Sequence, residues 1–297
     1  MRVFFDNVDI RSSSGPNSFG KKLMNSLWER GHTVYTSPSP ADVQLSFIQT
    51  TQRISPSVAL RLDGIYFNTR QDWMAMNGPI KASYESADLV IFQSDFNRRL
   101  TEKYFGPNRK SVVINNGSPV KDIEAIPKSQ HSDLDRFEEV WCCSSSWRPH
   151  KRLRDNVQYF LENRPKNAGL VVFGDNPDYV IKHPDVLYVG KQPWEVCVSV
   201  YKRSKKFIHL AFLDHCPNVV VDARVAGCDL VVASSGGTKE IAGLQATVVE
   251  DLDWDLRPLD LYSPPSLDFS KTSKNTHDVD VSMTTVADKY IEQLSML

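Results

Sequence analysis

The sequence predicts an α/β protein built from two consecutive doubly wound domains. Short apolar runs alternate with amphipathic helical stretches almost from end to end, which argues for open, mostly parallel sheets with right-handed crossovers. A proline- and charge-rich interruption at 117–137 splits that alternation into two series. The length of 297 residues suits about two domains. No internal repeat or low-complexity tract points to another architecture.

In the first series, RVFF (2–5) reads as a buried strand, followed by the turn-rich SSSGPNS. A helix is expected from Ser18 to Arg30, with Phe19, Leu23 and Leu27 on one stripe and Gly31 as its stop. Strands follow near 33–36, 43–48, 57–62, 88–93 and 111–115, with helices at 79–87 and 95–105. The second series starts with a strand at 139–144, a helix at 151–163 and strands at 169–173 and 186–189. It continues with helix 194–204, strand 206–211, helix 217–226, strand 229–233 and a short helix at 238–243. Residues 253–280, rich in Pro, Ser and Asp, are expected to run over the surface. Val286, Tyr290, Ile291 and Leu294 then mark a last helix. The expected division is 1–127, 128–281 and a C-terminal helical segment at 282–297.

Lys plus Arg total 35 against 36 for Asp plus Glu. Such a balance gives no sequence-independent pull toward a polyanion, so nucleic acid is not an expected partner. Local basic patches leave room only for weak peripheral contact with an anionic membrane surface. The five scattered cysteines (Cys142, Cys143, Cys197, Cys216 and Cys228) suit free thiols in a reducing compartment. They offer no CxxC or Cys/His cluster for zinc, and no metal site is expected. The N-terminal apolar burst is too short for a signal peptide or a membrane span, so a cytoplasmic location is expected.

In doubly wound sheets, ligands bind at the carboxyl ends of strands. The segment 207–240 (FIHLAFLDHCPNVVVDARVAGCDLVVASSGGTKE) has Asp214 in a loop after a strand, and Pro217 at an expected first helical position. With Cys216, Asn218 and Val219, this turn would aim free N–H groups at an anion such as a diphosphate. Asp222 lies eight residues after Asp214, inside the helix. The plainer reading makes Asp214 a cap and Asp222 part of a solvated face. In CCSSSWRPHKRL, a strand ends at small polar residues including Ser146, and Arg148, Lys151 and Arg152 cluster before a helix. Cations there oppose the helix dipole unless an anion arrives, although a solvated helix start is the alternative. Gly15 and the pair Gly236–Gly237 sit between expected strands and helices, where glycine lets a ligand approach the backbone. Neither is part of a Walker A loop or a GxGxxG fingerprint, which weighs against kinase and hydride-transfer readings. Arg61 and Asp63 end a strand in LRLDGIYFN, as a salt bridge or as functional groups. His150 and His215 flank these segments as loop residues, and a lone histidine says little about catalysis.

Taken together, these segments resemble the retaining glycosyltransferases of family 4, which have the GT-B fold of two Rossmann-like domains facing across a cleft. Asp214 and Asp222 in DHCPNVVVDARVAG hold the positions of the family's E-x7-E segment. VVASSGGTKEI resembles the segment that follows and places Glu240 at its acidic end; WRPHKRL resembles the basic motif. RLDGIYFN, ADLVIFQSDFNRRLTEKYFG and VINNG resemble N-domain segments of one branch. Both acidic positions are one methylene shorter than in the family, and Ser146 stands where an Arg is usual, with Arg148 as its substitute.

The resemblance implies a nucleoside-diphosphate sugar held mainly by the C-terminal domain. Asp222 would then accept from the ribose, and Asp214 from the donor sugar, with Arg148 and Lys151 on the diphosphate. Gly15, Ser146, Cys216, Pro217, Asn218, Val219, Gly236, Gly237 and Glu240 are the further donor-side residues. A glycan or glycoconjugate acceptor would sit near Gly15, Arg61 and Asp63, with Asp63 orienting or deprotonating its hydroxyl. No metal or other cofactor is implied, and the last helix is expected to return to the first domain. A sugar-nucleotide epimerase and a non-catalytic nucleotide-sugar-binding module are the alternatives.

Overall fold

The structure, a computed structural model, describes all 297 residues. The chain forms two α/β lobes, each around one sheet. The first lobe runs β1 (Arg2–Asp6), α1 (Gly15–Glu29), β2 (Thr33–Tyr35), β3 (Val43–Phe47), β4 (Val58–Leu62), α2 (Trp73–Ser86), β5 (Leu89–Phe92), α3 (Asp95–Phe105) and β6 (Ser111–Val113). A short α4 (Val120–Ala125) leads into the second lobe. There β7 (Glu139–Ser144), α5 (Leu153–Asn163), β8 (Ala168–Phe173), β9 (Val186–Gly190), α6 (Trp194–Arg203) and β10 (Lys206–His209) come first. They are followed by α7 (Asn218–Val225), β11 (Asp229–Ala233), α8 (Thr238–Ile241), β12 (Thr247–Val249) and β13 (Thr272–Lys274), and α9 (Met283–Ser295) ends the chain.

The first sheet has the order β2-β1-β3-β4-β5-β6 and is parallel throughout. The second has the order β13-β12-β11-β10-β7-β8-β9, antiparallel only between β12 and β13. Every residue of β3, β4 and β5 is buried, as a parallel strand covered on both faces requires. The strand order reverses between β1 and β3 in the first sheet and between β7 and β10 in the second. At such switch points the loops diverge to opposite faces and open a crevice at the carboxyl ends of the strands. This is what positions the site.

The last helix returns to the first lobe. Met283, Val286, Ala287, Tyr290 and Leu294 are buried in the same core as Phe19, Leu23 and Leu27 of α1. Tyr290 lies 5.9 Å from Phe19, ring centroid to centroid.

Several boundaries differ from expectation for identifiable reasons. Helix α1 starts at Gly15 rather than Ser18, because Pro16 is tolerated in a first turn. Helix α2 starts six residues before the Pro79 that marked its expected beginning; Asp72 caps it by accepting from the Ala75 amide at 3.1 Å. Pro149–Lys151 form a tight turn, and Arg152 has φ 53°, so α5 begins only at Leu153. Pro217 is the residue before α7 rather than its first residue. Strand β13 lies in the stretch expected to run over the surface, and β12 lies where no element was expected. No helix is long and apolar enough to cross a membrane, and all five cysteines are free.

Leu294 is 2% exposed. Leu294→Ala should cost about 3 kcal/mol, the usual price of deleting a buried leucine side chain, read as a lowered urea midpoint. An unchanged midpoint would show that α9 is not part of the first core.

Candidate active site

Two loops meet at the switch point of the second sheet, one after β7 and one after β10. They are tied together by the Phe212 amide donating to the His150 carbonyl at 2.7 Å. The Lys151 Nζ lies 2.5 Å from Asp214 Oδ2, and His209 Nε2 is 3.0 Å from the same oxygen. Burial alone would raise the Asp214 pKa, but the Lys151 ammonium and the His209 hydrogen bond outweigh it and hold it well below the usual carboxylate value. Arg152, fully buried, donates to both oxygens of Asp251 at 2.7 and 3.0 Å. Asp251 also accepts from Ser235 Oγ, which in turn accepts from the Leu213 amide at 3.3 Å. The loop that carries Asp214 is therefore braced from both sides. Arg148 and Ser146 are exposed, and Arg148 forms no ion pair. The start of α7 has no side-chain cap. Lys151 thus sits on the Asp214 carboxylate, four residues before an uncapped helix start, with the exposed Arg148 three residues earlier in the same turn.

The carboxylate of Asp222 does not lie on a solvated face. It is buried against the first lobe, 2.5 Å from Lys22 Nζ, and accepts from Ser118 Oγ and from Trp194 Nε1 at 2.8 Å. The Lys22 ammonium also lies 5.6 Å from the Trp194 ring centroid. Nearby, Asn218 Nδ2 donates to the Gly15 carbonyl at 2.8 Å, and Asn116 Nδ2 donates to the Cys216 carbonyl at 2.8 Å. Glu240 also faces the other lobe, accepting from the amides of Asp95 and Phe96 at 2.7 and 2.9 Å. Its carboxylate therefore caps the start of α3, where negative charge is favoured. Burial raises its pKa, partly offset by those two amides.

On the first lobe, Arg61 is fully buried, pairs with Asp63, donates to Asn116 Oδ1 at 2.7 Å and lies 4.1 Å from the Phe19 ring centroid. Burial raises Asp63, and its Oδ2 has no hydrogen-bond partner. Gly236 and Gly237 lie against the backbone of Asp214 and His215. His150 stacks on Tyr262 with ring centroids 5.8 Å apart, and burial holds its pKa down to about 3. No cluster of three or more His, Cys, Asp or Glu side chains is placed to hold a metal ion.

Sequence reasoning did not single out Lys22, Asn116, Ser118, Trp194 or Asp251. Each meets its partner across long stretches of chain, 200 residues for Lys22 and Asp222.

Breaking a buried ion pair leaves its partner uncompensated, so Lys22→Met should destabilise by about 3 kcal/mol. Adding Asp222→Leu should recover most of that in thermal unfolding; additive losses would show that the pair is not coupled. Burial depresses both His150, to about 3, and His215, to about 4. Between pH 6.5 and 4 the unfolded chain therefore binds protons that the folded chain refuses, so these groups make stability fall as pH falls. His150→Gln should flatten the dependence of Tm on pH across that window. An unchanged slope would mean His150 titrates normally.

No protein-family model matches the chain, and no curated protein does. Solved structures match it in fold. Anabaena HepE in complex with UDP-glucose matches with a TM-score of 0.70 at 14% identity, over the full length of both chains. AviGT4, a glycosyltransferase involved in avilamycin A biosynthesis, matches with a TM-score of 0.63 at 14% identity, over 100% of this chain and 97% of its own. Sucrose-phosphate synthase from Thermosynechococcus elongatus matches with a TM-score of 0.65 at 12% identity, over 84% of this chain and 86% of its own. The two facing α/β lobes are thus the GT-B architecture shared with glycosyltransferase structures.

Proposed function

We propose that this chain is a glycosyltransferase that moves a sugar from a nucleoside-diphosphate donor to a hydroxyl of a glycan or glycoconjugate acceptor. In this reading it retains anomeric configuration and needs no metal. One observation supports the reading: at the switch point of the second sheet Lys151, three residues after the exposed Arg148, pairs with Asp214, four residues before the uncapped start of α7.

A departing nucleoside diphosphate gains negative charge in the transition state. Cations and helix amides fixed in place before the reaction stabilise that charge without reorganising. Arg148 contributes a guanidinium fork for phosphate oxygens, and Lys151, anchored by Asp214, contributes a positioned point charge. Asp214 accepts from hydroxyls of the donor sugar. Gly236 and Gly237 let that sugar approach the backbone, while Ser146, Cys216, Pro217, Asn218 and Val219 line the donor side. For Asp222 to accept from the ribose, the donor hydroxyls must take the place now held by the Lys22 ammonium. Donor entry is therefore coupled to a partial opening of the lobes. Glu240 acts by fixing α3, and with it the acceptor side, against the donor lobe. Gly15, Arg61 and Asp63 face the acceptor. Their lobe closes over the reacting atoms, excludes water and aligns the two substrates.

HepE is described with UDP-glucose, which makes UDP-glucose the first donor to test, beside GDP-mannose and ADP-glucose. The donor that fits should raise Tm, because it binds only the native state. Arg148→Ala is the cleanest probe, since the side chain is exposed and unpaired. It should leave Tm unchanged and lower kcat/KM by roughly 100-fold, the loss expected for one preorganised donor. Wild-type turnover by the variant would remove Arg148 from the site. Transfer should persist in EDTA, and strict metal dependence would contradict the mechanism.

A further inference from the structure

The chain after β12 leaves the second lobe, lies along the first and comes back. It departs at Asp251, whose carboxylate accepts from Arg152 at 2.7 and 3.0 Å. It returns at Tyr262, whose ring stacks on His150 at 5.8 Å between centroids, and at Pro265, whose carbonyl accepts from Arg152 at 2.8 Å. Both ends of the excursion are therefore fixed to one short turn, Arg148–Arg152, which carries Lys151. Arg152 has φ 53°, a left-handed value that a non-glycine residue adopts only when its surroundings impose it. Asp251 and Pro265, which hold its guanidinium, stand at the two ends of the excursion.

Between those ends the chain is bound to the first lobe. The Thr69 amide donates to the Leu259 carbonyl at 2.9 Å, and the Leu259 amide donates to the Phe67 carbonyl at 3.2 Å, an isolated parallel bridge. Tyr104 Oη donates to the Leu256 carbonyl at 3.0 Å. The Trp254 ring packs on Phe67 at 4.7 Å and on Phe96 at 6.2 Å between centroids, and Leu256, Leu259 and Leu261 pack against the same apolar cluster. Arg70 pairs with Asp260 at 2.8 Å, but both side chains are solvated and the pair adds little. Backbone pairing and aromatic packing carry the attachment. A cavity of about 260 Å³ bordered by Phe96, Leu213, Gly236, Trp254 and Leu256 leaves the underside of this segment partly unfilled, with room to shift.

We infer that residues 251–265 are a positioning strap, which sets the basic turn Arg148–Arg152 according to where the first lobe sits. Its consequence for binding rests on the nucleoside-diphosphate reading above. A displacement of the first lobe moves Trp254 and Leu259, and the movement reaches the turn through Asp251, Tyr262 and Pro265. Lys151, between His150 and Arg152, is held at its place on Asp214 while the strap is seated. Side chains that touch no ligand thus decide whether the ammonium stands ready for a phosphate.

Tyr104→Phe removes one hydroxyl from the strap's seat, and Trp254→Ala removes its aromatic anchor. In both variants hydrogen exchange should quicken at the Lys151 and Arg152 amides, which donate to the Arg148 and Pro149 carbonyls. The amides of α1 should keep their protection. Trp254→Ala and Tyr262→Ala should each weaken the Kd for UDP, GDP or ADP, whichever the wild type binds, by about fivefold. Tyr262→Phe, which keeps the stack on His150, should bind as the wild type does. The double alanine variant should bind no more weakly than the weaker single variant, because both changes cut one path. Wild-type exchange at Lys151 and Arg152 in both first-lobe-contact variants would overturn the strap. So would wild-type affinity in the alanine variants, or losses that add. A wild-type protein that binds none of the three nucleotides would instead overturn the nucleoside-diphosphate reading, and the exchange rates would still decide the strap.

Discussion

A charge can be buried between two lobes only if a partner of opposite sign is buried with it, and that constraint shapes this molecule. The seam contains the carboxylates of Asp63, Asp214, Asp222 and Glu240. Each is matched by a guanidinium, an ammonium or a helix start. In a poorly solvated seam an unmatched carboxylate would cost several kcal/mol. The matches that cross the seam therefore help fix where the lobes sit. Two of these matches, Lys22 with Asp222 and Glu240 with α3, bridge the lobes directly.

The same constraint prepares the chemistry. Lys151 is held at one point by Asp214, which is itself held by His209 and by the Leu213 loop. A cation fixed this way meets a developing phosphate charge without waiting for solvent to rearrange. Arg148, by contrast, is free in solvent and able to move toward an incoming anion. The pairing of one anchored and one mobile cation suits a ligand that must first bind and then depart. In the proposed reading, a donor reaching Asp222 must first displace Lys22 from it.

Most of the fold was legible because buried parallel strands carry apolar runs that nothing else in the chain imitates. The strands at Glu139–Ser144 and Asp229–Ala233 coincide with their expected limits for that reason. Strand β13 (TSK) carries no apolar residue and is exposed throughout, so no periodicity announced it. The left-handed Arg152 was also hidden, because its conformation serves a distant partner, Asp251. At the site, Lys151 and Asp214 could be placed near each other because both follow strands, and parallel strands deliver their ends to one side. The partners of Asp222 and Glu240 could not be foreseen, since contacts across lobes leave no local spacing. A lysine on α1 and a helix start at Asp95 look ordinary until the second lobe is set against them.

In the proposed reading, Arg148, Lys151 and the start of α7 form the receptor for the pyrophosphate of the donor. A crystal structure with bound UDP tests it most directly. The account predicts phosphate oxygens within hydrogen-bond distance of Arg148, Lys151 and the backbone amides at the start of α7. UDP bound in another place, with these groups unengaged, would contradict it.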